Sequence, residues 1–345
     1  MVRLLHTCKP TFENTLGREL ALWGHEARQT GAGWIITETV AADPDQAVTE
    51  LDLCFAQVTL LNPRHLEAAT VNGLADLLEE EFGAVFRQER ITGTWPLIFG
   101  AAAVEGLGGR ARSVEKEWRQ RMSGKMARVF KLAQPTLSVA ETILRGFYAY
   151  FTGFDRIAVA GRFRYWGQCR MKDDPRAPSR SFLKVEEAYG ILGREPGPGE
   201  TVVDLGAAPG GWAYSALRRG ARVFAVDNGP LKGGAAGHPH VVHLRQNAFT
   251  FQPPAGAPID WLFCDMIENP YKVLDLLTLW LTRHWCRRFI VNLKVGRADP
   301  VALVSKLRDG ETGLAGLCNQ LTVRQLHHDR EEVTLVGEAR PPHSP

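Results

Sequence analysis

A chain of 345 residues, 45% of them hydrophobic, is long enough to bury a sizeable core shared among two or three domains. Its formal charge of +3 and pI near 8.5 are only mildly basic, so composition names no nucleic-acid partner and any such contact must come from local clustering. Six cysteines without a C-x-x-C pair exclude a zinc ribbon and a secreted disulfide framework. With no apolar core after Met1 and no stretch near the ~20 apolar residues of a membrane span, the expectation is a soluble cytoplasmic protein with reduced thiols and no metal.

The amino-terminal part reads as small α+β structure: a strand over Val2 to Cys8, a helix around Phe12 to Trp23, a strand near Gly33 to Thr37 and a helical stretch over Asp43 to Leu51. A long helix is expected over Val114 to Leu132, where Val114, Trp118, Met122, Met126, Val129 and Phe130 recur at helical spacing. Arg121, Lys125 and Arg128 fall on another face, which either meets phosphates or is a solvated surface.

From Arg162 to Arg180 cations interleave with aromatics, Arg164, Arg170, Lys172 and Arg180 among them, before Pro175 and Pro178. Guanidinium groups on phosphates and rings on splayed bases suit single-stranded RNA; a plain linker at a domain boundary is the competing reading.

Beyond this boundary short β-branched runs alternate with amphipathic stretches. The runs are Val202 to Asp204, Arg222 to Asp227, Val241 to Leu244, Ile259 to Cys264 and Phe289 to Leu293; helices are expected at Trp212 to Arg219, Tyr271 to Trp285 and Pro300 to Leu307. That rhythm predicts α/β architecture with a mostly parallel sheet covered by helices. Two last strands, near Thr322 to His327 and Glu332 to Val336, have no helix between them and should close the sheet as an antiparallel hairpin. Loops at residues 233–237 and 253–258, rich in Gly, Ala and Pro, flank the expected ligand edge.

The first of these strands runs through Asp204 into Gly206-Ala207-Ala208-Pro209-Gly210-Gly211 and a helix from Trp212. A tight glycine turn before a helix amino terminus lets backbone approach a ligand closely. It matches neither G-x-G-x-x-G nor the P-loop ending, so nucleotide phosphates are not the favoured ligand. The next strand ends at Asp227, whose carboxylate can accept from both hydroxyls of an adenosine ribose.

Asp204 to Trp212 resembles the first motif of Rossmann-like S-adenosylmethionine methyltransferases, in particular the FtsJ-like ribose methyltransferases, with Pro209 and Trp212 carrying the specificity. The resemblance implies that Ala208, Pro209, Gly210 and Gly211 wrap the methionine end, Asp227 holds the ribose and Asn247 lies near the adenine, where that family commonly has Asp. Ser181 and Asp265 would also border the cofactor.

Methyl transfer to a hydroxyl needs a positioned weak nucleophile and an acceptor for its proton. Two crowded lysines lower the pKa of one, and nearby carboxylates orient them. Lys184 before the first strand, Asp265 after the fourth, Lys294 at the end of the fifth and Glu332 in the hairpin supply such a set, and resemble the Lys-Asp-Lys-Glu tetrad of that family. Lys294 is assigned as base, Asp265 and Glu332 as orienting acids and Lys184 as the tuning cation. Glu331 is the rival to Glu332, because strand neighbours face opposite ways.

Pro178 to Ser181, Val226 to Pro230, Asn292 to Lys294 and His328 to Thr334 narrow the resemblance to the methyltransferase M family of large-subunit ribosomal RNA. It implies a cytidine ribose as acceptor and three units: a ferredoxin-like unit at residues 1–75, a THUMP-like RNA-binding unit at 76–170 and the FtsJ-like methyltransferase at 171–345. No membrane or DNA partner is implied.

Rival readings are an amino methyltransferase, superficially served by Asn269-Pro270-Tyr271, which more simply caps a helix; a C5 methyltransferase using Cys264; and a noncatalytic RNA-binding protein. The adjacent His327 and His328 read as strand and surface histidines, without a third metal ligand.

Overall fold

The computed structural model describes residues 1–86, 91–135, 142–254, 258–296, 298–308 and 313–341; residues 255–257 of the expected 253–258 loop lie outside them. The chain divides into two compact units, Met1–Gly167 and Gln168–Pro345.

The first unit is built on a nine-stranded sheet. Its spatial order is Glu26–Gly31, Trp34–Thr39, Val2–Cys8, Ala56–Leu61, Arg156–Tyr165, Thr142–Phe151, Trp95–Ala101 and Ala133–Gln134, with Arg64–Glu67 also paired to Arg156–Tyr165. The boundary expected between residues 75 and 76 falls inside the helix Val71–Phe86.

The helix expected from Val114 starts earlier, at Leu107, and its regular course ends at Lys125; Met126 leaves helical geometry (φ −137°, ψ 42°) before a short helix over Ala127–Lys131. Val114, Trp118 and Met122 form its buried stripe. Trp118 is fully buried, stacked on Phe147 at 5.7 Å between ring centroids and flanked by Phe82, Phe99 and Phe130; an aromatic so enclosed stabilises by about 3–5 kcal/mol relative to alanine.

In the second unit, α1 (Phe182–Leu192) precedes β1 (Thr201–Leu205), α2 (Gly211–Leu217), β2 (Arg222–Val226), β3 (Val241–Leu244), β4 (Ile259–Cys264), α3 (Pro270–Thr282), β5 (Cys286–Lys294), α4 (Pro300–Arg308), β6 (Cys318–Arg324) and β7 (Glu332–Ala339). The seven strands lie in the order β3-β2-β1-β4-β5-β7-β6. β1 to β5 pair in parallel, and β7 inserts antiparallel between β5 and β6.

The parallel strands are apolar in continuous runs because helices cover both faces: Val202, Val203, Trp261, Leu262, Phe263, Phe289, Ile290 and Val291 are all buried. α3 begins as its sequence dictates. The Asn269 side chain accepts from the Tyr271 N–H at 2.9 Å and Pro270 occupies the first turn, where its missing N–H costs nothing.

Candidate active site

The glycine loop between β1 and α2 sits at the carboxyl edge of the parallel strands, where ligands of such sheets bind. Gly206 (φ +77°) and Gly210 (φ +107°) occupy the left-handed region, and a Cβ on Gly206 would lie 2.5 Å from Met266 Cγ. A Cβ on Gly211 would lie 2.6 Å from both Ser179 Oγ and Ser181 Oγ. Glycine is therefore required here for close packing of the loop backbone against Met266, Ser179 and Ser181.

Asp227 pins this loop: its Oδ2 accepts from the Ala208 N–H at 3.0 Å and its Oδ1 from the Gly229 N–H at 2.7 Å. Each oxygen keeps a lone pair for a further donor. Asp204 is 1% exposed and its oxygens make no well-formed hydrogen bond. Burial, with Asp265 and Asp227 adding repulsion and the Ala213 N–H only a weak counterweight, pushes it up to about 7. A buried carboxyl without a good donor, at the start of the glycine loop, fits a cofactor carrying a positive sulfonium.

Two residues of the resemblance serve the loop from beneath. Trp212 is 2% exposed, donates its ring N–H to the Ser181 carbonyl at 2.9 Å and packs edge-on against Phe263, so it braces the loop from the core side. The Ser181 hydroxyl shares a hydrogen bond with Ser179 at 2.7 Å. Asn247 uses its side chain to accept from the Phe249 N–H at 2.9 Å, a turn-forming role.

The four tetrad candidates converge. Cross-strand register sets Lys294 opposite Glu332. Lys294 Nζ donates to Asp265 Oδ1 at 2.5 Å, Asn292 Oδ1 at 2.6 Å and Glu332 Oε1 at 3.3 Å, while Lys184 Nζ reaches Glu332 Oε1 at 3.0 Å and lies 3.9 Å from Asp265 and Asp329. Glu332, rather than Glu331, therefore faces the lysines, and its second oxygen accepts from the Arg330 N–H.

Lys184 is held as the cation that its assignment requires. Burial acts downward, but Asp265, Asp329 and Glu332 outweigh it and hold the amine above its ordinary range. Three carboxylates around two lysines offset the repulsion between the two amines. For Glu332, burial acts upward and is outweighed by Lys184, the Arg330 N–H and Lys294, so it stays below the usual carboxylate range. Burial pushes the Cys264 thiol up to about 12, which removes it as a nucleophile at neutral pH.

α1 is fixed on both sides. Glu186 binds Arg219 at 2.6 and 2.9 Å and Arg218 at 2.7 Å. Glu187, fully buried, accepts from the backbone N–H groups of His327, His328 and Cys169 at 2.6, 3.1 and 3.1 Å. This draws His327 and His328 off the expected strand, which ends at Arg324, and into a loop. That loop walls a cavity of about 530 Å³ lined by Arg170, Arg180, Lys184, the two histidines, Arg330 and Glu332.

The other basic candidates differ in kind. Arg121 pairs with Asp76 and Glu117, and Lys125 with Glu79 at 2.5 Å, so the expected free basic face is neutralised by carboxylates there. Arg164 stacks on Trp166 at 4.0 Å and donates to the Val48 carbonyl, a structural use. Arg128 and Lys172 are exposed, and Arg180 pairs with Asp173 at 2.8 Å. The sequence analysis gave Asn292, Asp329 and Arg330 no role beyond the motifs they stand in, and passed over Glu187. The available signal was Asn292, two residues from Lys294 and so on its face of the strand.

Residues 177–282 match the model of the FtsJ-like methyltransferase family. The ribosomal RNA large subunit methyltransferase M of Laribacter hongkongensis is 35% identical in an alignment covering 99% of this chain and 97% of that protein. The proteins of the same name from Alkalilimnicola ehrlichii and Chromohalobacter salexigens are 33% and 31% identical, over 97% and 95% of this chain. With S-adenosylmethionine as its cofactor, the chain is an RNA methyltransferase and belongs to the ribosomal RNA large subunit methyltransferase M family.

Proposed function

We propose that a cytidine ribose is the acceptor, and Lys294 the general base, in S-adenosylmethionine-dependent 2'-O-methylation of large-subunit ribosomal RNA by this chain. The observation that carries the reading is the convergence of Lys184, Asp265, Lys294 and Glu332 beside the glycine loop. Bound cofactor supplies an electrophilic methyl group on sulfur. Ala208, Pro209, Gly210 and Gly211 bind its methionine end and Asp227 its ribose. Lys294, deprotonated, would accept the hydroxyl proton as that oxygen takes the methyl group and sulfur keeps the electron pair of the broken S–CH3 bond as a neutral thioether; Asp265 and Glu332 hold the amine in place. Lys184 stays cationic and anchors Glu332.

The basic cavity beside the tetrad supports RNA as the acceptor. Arg170 and Arg330 are exposed there, with a volume suited to a nucleotide. Replacing both with alanine should weaken RNA binding and reduce its log–log salt slope by about 2, with cofactor affinity unchanged. An unaltered slope in filter-binding titrations would place the RNA elsewhere. In the first unit the ferredoxin-like and THUMP-like parts are best divided near residue 70, ahead of the Val71–Phe86 helix, with Arg128 as an RNA contact. A ribosomal RNA acceptor supports a cytoplasmic location for this chain.

The chemistry is tested by transferring labelled methyl groups to unmodified ribosomal RNA and hydrolysing it in alkali. Label should survive in an alkali-resistant dinucleotide, because a blocked hydroxyl cannot attack the adjoining phosphate. Label recovered only in mononucleotides would overturn ribose as the acceptor.

A further inference from the structure

Beneath the two lysines lies a layer of polar side chains that solvent does not reach. Asn292 on β5 and Thr334 on β7 are cross-strand partners, both fully buried, and the side chain of Asp329, in the loop before β7, is buried beside them. Asn292 Nδ2 donates to Asp329 Oδ1 and to Thr334 Oγ1, each at 2.9 Å. Thr334 Oγ1 in turn donates to Asp329 Oδ2 at 3.0 Å, which also accepts from the Leu326 N–H at 2.9 Å.

This network leaves Asn292 one orientation. An ionised carboxylate only accepts, and the Thr334 proton is already committed to it, so the amide NH2 must face Asp329 and Thr334. The Asn292 carbonyl oxygen then faces Lys294 Nζ, 2.6 Å away. A flipped amide would aim two N–H groups at the amine.

We propose that Asp329 and Asn292 are positioning residues for proton transfer in this site: Asp329 orients the Asn292 amide, and Asn292 Oδ1 orients the Lys294 amine toward the substrate hydroxyl. The inference rests on Lys294 as the base. Besides Asn292, the groups facing Lys294 are Asp265 after β4, Glu332 on β7, Lys184 on α1 through those shared carboxylates, and the neutral Cys264 thiol. Two of the three acceptors on Lys294 are carboxylates. Asn292 adds direction without a third negative charge in contact.

The test uses the full-length protein and steady-state kinetics on ribosomal RNA across pH. Asp329→Asn should lower kcat by about 10- to 100-fold, with KM for RNA and cofactor affinity changed less than about twofold. The exchanged pair Asn292→Asp with Asp329→Asn restores an acceptor facing Lys294 and a donor facing position 292. It should recover most of kcat while moving the rising limb of the pH profile to higher pH, because the carboxylate now touches the amine.

A role in folding alone predicts neither the recovery nor the shift. Wild-type kcat in Asp329→Asn, or an exchanged pair with neither recovery nor shift, overturns the proposal. Should Asp329→Asn fail to fold, Thr334→Val removes one anchor of the amide at nearly constant shape; it should lower kcat several-fold at unchanged KM, and unchanged kcat overturns the proposal. Lys294→Ala run alongside separates the two readings. Turnover in that variant removes the base, and the inference with it; an inactive Lys294→Ala with a wild-type Asp329→Asn removes the inference alone.

Discussion

Lys294→Ala is expected to lower methyl transfer by about 100- to 10,000-fold, the range that a general base contributes, while cofactor affinity stays near wild type. The two effects separate because Lys294 Nζ is held by Asp265, Asn292 and Glu332, whereas the glycine loop is held by Asp227 and braced by Trp212. Lys294→Arg sharpens the result. A guanidinium keeps the positive charge but does not deprotonate near neutrality, so this variant should be as inactive as the alanine one. Activity in Lys294→Arg would mean that the position supplies charge and not proton acceptance. In the wild type, kcat should rise with pH as the neutral amine becomes populated. Glu332 and Lys184 do not shape that limb: Glu332, held low, is ionised well below neutrality, and Lys184, held high, remains an ammonium.

Asp227→Ala is expected to reduce cofactor affinity by at least about 100-fold, measured by isothermal titration calorimetry. Hydrogen bonds from ribose hydroxyls to a charged acceptor are worth about 1.5–3 kcal/mol each. The same substitution strands the N–H groups of Ala208 and Gly229, which Asp227 now accepts, and loosens the loop that would receive the cofactor. Asp227→Asn keeps one acceptor and should fall between alanine and wild type. Affinity in Asp227→Ala within about threefold of wild type would remove this residue from the ribose site.

How much was legible in advance depended on the range of the interaction. The parallel strands were readable because both their faces are buried, which leaves continuous runs such as Trp261 to Cys264 and Phe289 to Val291. Asp265 and Lys294 were readable because each closes such a run at the edge where these sheets bind ligands. The pairing of Arg121 with Asp76 and of Lys125 with Glu79 was not, since those acids lie about 45 residues upstream and only the packing of two helices brings them together. His327 and His328 looked like strand because the feature that withdraws them, Glu187, is on α1. Lys184 was readable as the cation of the set, but the third carboxylate beside it, Asp329, enters only through the fold.

The place of β7 in the sheet bears on biosynthesis. This strand is late in the sequence, yet it fills a slot between β5 and β6 and carries Glu332 to Lys294. A ribosome-bound chain stalled before residue 332 would already hold the first unit, the glycine loop, Asp265 and Lys294, but neither Glu332 nor the neighbour that closes β5. The edge of β5 and the lysine cluster are thus completed together, when the last strand takes its slot.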